Sequence, residues 1–228
     1  MTTPRTINSS FATTSVSKKN ENIPFIFSSK KDPSKRKVTD GNGIILDDFQ
    51  CTQSWGGGTG KPYNGRTLVA NNIVFANGGS GIHTFKSLNV DIIHNYAVDN
   101  NRHPTPHEGE IYSNNSKNIR IFNNVMVGPA GKPVTTSFAN KELLLDFNLY
   151  AALDGSQPKF EGKKANNLIA TPGLELSKWN TGGGSFAAAP DSPLRAAGMP
   201  LPDDLPDFFG KSRNKAKPDI GAFVLGEP

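Results

Sequence analysis

The chain has 228 residues, 23 of them Gly and 17 Pro, a share that disfavours long helical bundles. Hydrophobic residues make up 35%, clustered in short β-branched and aromatic runs between Asn, Gly, Ser and Asp, which is a pattern of many short strands and not of disorder. The formal charge of +5, with pI near 9.3, suits an anionic partner, acidic polysaccharide as well as nucleic acid, and the single cysteine, Cys51, excludes an intramolecular disulfide.

A chain of this length is expected to form one domain. Its longest apolar runs, such as Ile44 to Leu46 and Leu143 to Leu145, fall far below the roughly 18 residues that cross a bilayer, so no membrane partner is expected. The N-terminal stretch MTTPRTINSSFATTSVSKKN shows no apolar segment of the kind a secretory signal requires. Residues 1–37 form an irregular N-terminal segment in which NENIPFIF (20–27) reads as a fragment of an earlier coil and SSKKDPSKRK (28–37) as a solvated basic loop.

From residue 38 the chain repeats. TLVANNIVF (67–75), VDIIHNYAV (90–98), IRIFNNVMV (119–127) and LLLDFNLYA (143–151) align on Asn72, Asn95, Asn124 and Asn148. The intervals are 23, 29 and 24 residues. Apolar residues recur at −3, +1 and +3 from each Asn, with a change of phase at it, so each segment reads as two short strands joined by a bend. Asn tolerates the left-handed backbone of such a bend, and its amide can bond the amide of the next coil. Between these lie strands opened by Gly: GIILDDF (43–49), GIHTFKS (81–87) and GEIYSNN (109–115). Three strands per turn of about 23 residues predict an all-β fold, a right-handed parallel β-helix of about six coils over residues 38–179, with like residues stacking into a core. The Gly-, Pro- and Ala-rich residues 180–228 are expected to fold over the last coil, with 208–224 as its cap.

These segments, with the closing DSPLRAAG and PDIGAF, resemble the pectate-lyase-like superfamily of right-handed parallel β-helix proteins. The resemblance covers roughly residues 38–224 and implies an extracellular or cell-surface protein acting on a polysaccharide. It does not fix an activity, because the same solenoid serves lyases, hydrolases, epimerases and phage tailspikes.

Candidate site residues follow from strand alternation and loop length. Ile82 and Thr84 are expected inward, leaving His83 and Phe85 outward with Lys86 at the strand end. Ile44 and Leu46 are expected inward, Asp47 outward, and Asp48 at the strand end. The loops 51–65 and 99–110 flank this face, and long loops on a rigid scaffold carry binding groups. β-Elimination on a uronic-acid polymer needs the substrate carboxylate neutralised and a base for the adjacent proton. Asp40, Asp47 and Asp48 are the candidate Ca²⁺ ligands, and His83, Lys86 and Arg102 are candidate catalytic residues, with the bare alternative that the aspartates bind turn amides. Glu110 paired with Asp47 offers the carboxylates of a glycoside hydrolase. Trp55, Tyr63, Tyr112 and Asn114 are candidate substrate-binding residues, through stacking and hydrogen bonding. His83 is expected between Asp47 and Asp48 of the coil below and Glu110 and Tyr112 of the coil above.

Other chemistries are disfavoured. The prolines of HPTPHEGE (103–110) forbid a helical zinc site. GGGTGKP (56–62) lacks the first Gly and the Ser or Thr of a phosphate loop. No aromatic-basic module for nucleic acid is present. Three readings stay open: an anionic-polysaccharide lyase, a glycoside hydrolase, and a non-catalytic binding, adhesin or tailspike-type module.

Overall fold

The computed structural model describes residues 5–7, 26–27, 37–38, 41–53, 60–103, 108–161, 166–173, 188–189 and 191–225. Among them the regular elements are all strands. Coil one holds β4 (Ile44–Asp47), β5 (Thr67–Ala70) and β6 (Ile73–Phe75). Coil two holds β7 (Ile82–Phe85), β8 (Leu88–Ile93) and β9 (Tyr96–Val98). Coil three holds β10 (Ile111–Asn114), β11 (Lys117–Phe122) and β12 (Val125–Gly128), and coil four holds β13 (Pro133–Phe138), β14 (Lys141–Asp146) and β15 (Leu149–Ala152). A fifth coil contributes β16 (Lys159–Phe160) and β17 (Leu168–Ile169). The first strands of successive coils form a front sheet, the second a side sheet and the third a back sheet, all parallel. This is the right-handed parallel β-helix expected from the repeat. Four coils are complete among the described residues.

Before them, β1 (Arg5–Ile7) extends the side sheet beside β5. β2 (Ile26–Phe27), the end of NENIPFIF, pairs antiparallel with β3 (Lys37–Val38); the rest of NENIPFIF lies outside the described residues.

The core is stacked by register. Ile82 and Ile111 from the front, Val69, Ile92 and Ile121 from the side, and Val74, Ala97, Met126 and Tyr150 from the back form one buried cluster. Each fully buried Ile contributes about 1.5–3 kcal/mol. Tyr150 stacks on Phe160 at 4.5 Å between centroids, which carries the cluster into the fifth coil.

The asparagine register forms a continuous ladder at the corner between side and back sheets. The Nδ2 groups of Asn72, Asn95 and Asn124 donate to the Oδ1 of the Asn one coil on, at 2.9, 2.9 and 3.0 Å. Each backbone N–H donates to the same oxygen at 2.9–3.0 Å, and Asn167 continues the series by accepting from the Asn148 N–H at 2.9 Å. The left-handed residue of the bend is not the ladder Asn but the one before it: Asn71, His94, Asn123 and Phe147 have φ of 58°, 55°, 58° and 52°. The ladder side chain must point inward to reach its neighbours, so the preceding residue makes the turn.

The other corners carry ladders of their own. Ser87 N–H donates to Ser116 Oγ (3.1 Å) and Ser116 N–H to Asn140 Oδ1 (2.9 Å). At the third corner Asn77 Nδ2 donates to Asn100 Oδ1 (2.7 Å), and Asn100 Nδ2 to Glu110 Oε2 (2.5 Å).

The back sheet is apolar on both sides. The +1 and +3 columns lie on its outer side: Tyr96, Val98, Val125, Val127 and Leu149 form a second cluster with Leu194, Ile220, Ala222 and Phe223. The C-terminal segment thus runs along the flank of the solenoid and is not confined to the end of the last coil. Ser192 Oγ bonds Pro172 O at the fifth coil, Asn123 exchanges two bonds with Met199 at the third, and Asn71 at the first donates to Pro206 O and accepts from Arg213. A two-faced apolar sheet loses more area to water if it lies bare than the end of one coil does, which favours the flank.

Between them, His94 is fully buried. The Asn123 amide is oriented by Met199, so its Nδ2 donates to His94 Nε2 (3.1 Å), and His94 Nδ1–H donates to Gly221 O (3.2 Å). Burial, and next the charge of Arg213, push its pKa well below the ordinary value; the backbone of Gly221 and Asp219 opposes this.

Two outcomes follow for stability. Asn124→Ala leaves the Asn95 N–H without its acceptor and takes a donor from the carbonyls of Ile92 and Phe122 inside the corner, so urea denaturation is expected to show a loss of about 1–3 kcal/mol, the cost of one buried group left unpaired. His94 is neutral when folded and titrates near 6.5 when unfolded, so its contribution is complete above that pH and falls as pH drops below it, by at most about 1.4 kcal/mol per pH unit. Glu110, raised by burial, acts in the opposite direction. The difference in denaturation between the wild type and His94→Gln at pH 7 and pH 5 therefore isolates the histidine, and an equal difference at both would exclude this coupling.

Candidate functional site

Strand alternation gives the front sheet two outward columns. Ile45, His83, Tyr112 and Thr136 are in register in one, and Asp47, Phe85, Asn114 and Phe138 in the other. The expected inward positions of Ile82, Thr84 and Leu46 hold, and Thr84 Oγ1 meets Ser113 Oγ at 2.8 Å inside. Ile45 and Phe138 are 46% and 64% exposed. The apolar clusters completed by the C-terminal segment lie over the back and side sheets, and the front sheet keeps aromatic rings at its surface.

His83 sits in the middle of this face but is only 8% exposed. Its register partners are Ile45 below and Tyr112 above, the latter at 4.8 Å between ring centroids. Asp47 is instead the partner of Phe85, because Asp47 stands two positions further along its strand than Ile45. Ser80 N–H donates to Asn42 Oδ1 (2.8 Å), which turns the Asn42 amide nitrogen toward His83 Nδ1 (3.4 Å). Nδ1 accepts, so the ring proton stays on Nε2, which is buried with no hydrogen-bond partner. Burial pushes the imidazole down to about 4, and it is neutral at neutral pH.

The two described aspartates hold turn groups. Both oxygens of Asp48 accept, from the N–H groups of Thr52 (2.7 Å) and Gln53 (3.0 Å) and from the Thr52 hydroxyl (3.1 Å). Burial opposes its ionisation, but these bonds and the Lys86 charge outweigh that and hold the carboxyl below its ordinary value. Asp47 Oδ1 accepts from Gln53 Nε2 at 2.6 Å. Asp40 lies outside the described residues. Among those described, no group of three His, Cys, Asp or Glu could hold a metal ion, and of the two aspartates only Asp48 has both oxygens engaged by turn groups.

Glu110 is turned away from the face. Gly109, at φ 101°, re-aims the chain before β10 starts, so alternation does not reach Glu110, and its side chain takes the ladder slot that coil three leaves without an Asn. It is fully buried and accepts from the Asn100 backbone and amide. It does not share a face with Asp47. Lys86 occupies the corner at φ 47° with its ammonium 5.2 Å from the Phe85 ring centroid. The Arg102 guanidinium is held by the Asp99 carboxylate three residues earlier. Its loop is pinned by Lys132 on the carbonyls of Asn101 and His103.

Of the substrate-binding candidates, Tyr112 and Asn114 stand on the outer face, half-buried. Tyr63 packs edge-on against Phe49 at 5.3 Å, and its N–H donates to Phe49 O. Trp55 and His107 lie outside the described residues. Phe138 was not singled out from the sequence, although its place three positions before Lys141 parallels that of Phe85 before Leu88.

The positive charge has a location in the sequence. Residues 1–40 contain eight Lys or Arg and three Asp or Glu, which equals the whole excess of +5, and residues 41–228 contain 17 of each sign. The coils and the C-terminal segment together are neutral.

Nitrogen-15 NMR of the histidines is expected to show His83 as the Nε2–H tautomer at pH 7, titrating near 4. A resonance titrating near 6.5 would mean that the ring is not enclosed as described.

Comparison with family models finds a match to the model described as the right-handed beta helix region, over residues 32–149, just over half of the chain. Comparison with curated proteins and with solved structures finds no match. The family match agrees with the three parallel sheets and the stacked corners, and the chain belongs to the right-handed β-helix family.

Proposed function

We propose that this protein is a polysaccharide-binding β-helix whose binding surface is the outer face of the front sheet, and that its polysaccharide is extracellular. One observation carries the reading. That face presents Phe85, Tyr112 and Phe138 interleaved with Asn114 and Thr136 on rigid strands, and flat aromatic rings beside amides and hydroxyls are the chemistry that meets a sugar's apolar face and its hydroxyl rim.

Catalysis is the second reading. A lyase is favoured over a hydrolase because Glu110 is enclosed, whereas neutral His83 and Lys86 belong to the same strand and corner. Against it, the ring's one lone pair, on Nδ1, is met by the Asn42 amide and Nε2 is buried, so the imidazole offers a substrate no free lone pair to act as a base. Engagement of both Asp48 oxygens by turn groups likewise weighs against a Ca²⁺-assisted elimination.

Affinity electrophoresis in gels containing neutral or uronic-acid polysaccharides, with and without Ca²⁺, tests both. Retardation by at least one polysaccharide is expected, weakened about fivefold or more by Tyr112→Ser with the melting temperature nearly unchanged. Unretarded migration in every gel would contradict binding. Appearance of ultraviolet-absorbing unsaturated products from a uronan would establish the lyase reading in its place.

A further inference from the structure

The geometry points to an unbranched, uncharged, β-1,4-linked glycan lying along the solenoid axis, with alternate sugar rings stacked on Phe85 and Phe138. This inference rests on the front-sheet reading and names the class of ligand for it.

Phe85, Asn114 and Phe138 occupy one outward column on consecutive coils. Strands in a sheet are about 4.7–4.9 Å apart, so the two phenyl rings are about 9.5 Å apart along the axis. A pyranose in an extended chain advances it by nearly one strand spacing. In a chain with two-fold alternation, residues n and n+2 present the same face, so both can lie on a phenyl ring, while residue n+1 is turned and offers its hydroxyls. At that middle level stands Asn114, an amide, with Tyr112 beside it in the adjoining column. Thr136 stands beside Phe138 and His83 beside Phe85. Aromatic platforms at alternate levels, with polar groups between, match an extended β-linked chain. An α-1,4 chain curls, so its successive rings leave the plane of a flat sheet.

Charge selects within the extended chains. The outward columns contain Asp47, the carboxylates of Glu108 and Glu161 act on Tyr112, Lys86 stands at the corner, and residues 41–228 are balanced in charge. A polyanion gains no attraction from such a face, whereas an uncharged glycan loses no ionic solvation there.

Isothermal titration of the full chain with cellohexaose, maltohexaose and a galacturonic-acid hexamer tests this. Cellohexaose is expected to bind at least tenfold more tightly than either of the others. Contact with both phenyl rings needs three consecutive sugars, so cellotetraose should exceed cellobiose by about tenfold or more. Phe85→Ala and Phe138→Ala should each lower cellohexaose affinity about tenfold and remove most of that length increment, with circular dichroism unchanged. In the double variant Asn114→Phe with Phe138→Asn the platforms stand one coil apart, and it should bind no better than Phe138→Ala. Equal or tighter binding of maltohexaose or the galacturonic-acid hexamer, lost on Tyr112→Ser, would leave the front face as the binding surface and overturn the ligand assigned here. Binding of cellohexaose indifferent to Phe85 and Phe138 would also overturn it, and no binding of any glycan would overturn both.

Discussion

The stacked amides at the side-to-back corner are the interaction on which the other features depend. Each ladder Asn is buried, and an unpaired buried amide costs about 1–3 kcal/mol. Asn95 and Asn124 avoid this only if consecutive coils keep their corners in register, because one oxygen accepts both the side-chain and the backbone N–H of the coil before it. That condition fixes the stacking of all three sheets. The coils differ in length by the loops 51–65 and 99–110, yet the described strands align residue for residue, since the added length falls between strands in the sequence and leaves this ladder untouched.

A solenoid with two apolar columns facing outward on its back sheet would bind itself or precipitate. The C-terminal segment prevents this by covering Tyr96, Val125 and Leu149 with Leu194, Ile220 and Phe223. The left-handed corner residues that the ladder forces into place serve as its docking points: Asn71, His94 and Asn123 each turn their side chains outward and bond the segment. The cover on one side leaves the front sheet as the rigid surface on which Tyr112, Asn114, Phe85 and Phe138 are displayed.

Much of this was legible in the sequence, for a physical reason. A side chain that must meet its copy in the next coil recurs at a fixed position, so Asn72, Asn95, Asn124 and Asn148 and the in–out order of Ile82, His83 and Thr84 could be read directly. Ser87, Ser116 and Asn140 make a second ladder whose signal was present, one position before each side strand, but mixed in residue type. The path of the C-terminal segment was not legible, since it has no repeat and its bonds to Asn71 and Asn123 span 135 and 76 residues. Glu110 misled because Gly109 breaks the alternation just ahead of it. The basic pI pointed to a polyanion because net charge carries no position, and the whole excess belongs to residues 1–40.

Hydrogen–deuterium exchange in the presence and absence of a bound glycan tests most directly the central claim, that one corner ladder holds the solenoid and one open face serves it. The backbone amides of Asn72, Asn95 and Asn124 should exchange only through global unfolding, and the glycan should add protection at β7, β10 and β13 while leaving the back sheet and residues 191–225 unchanged. Fast exchange at the ladder, or protection appearing on the back sheet or the C-terminal segment, would contradict it.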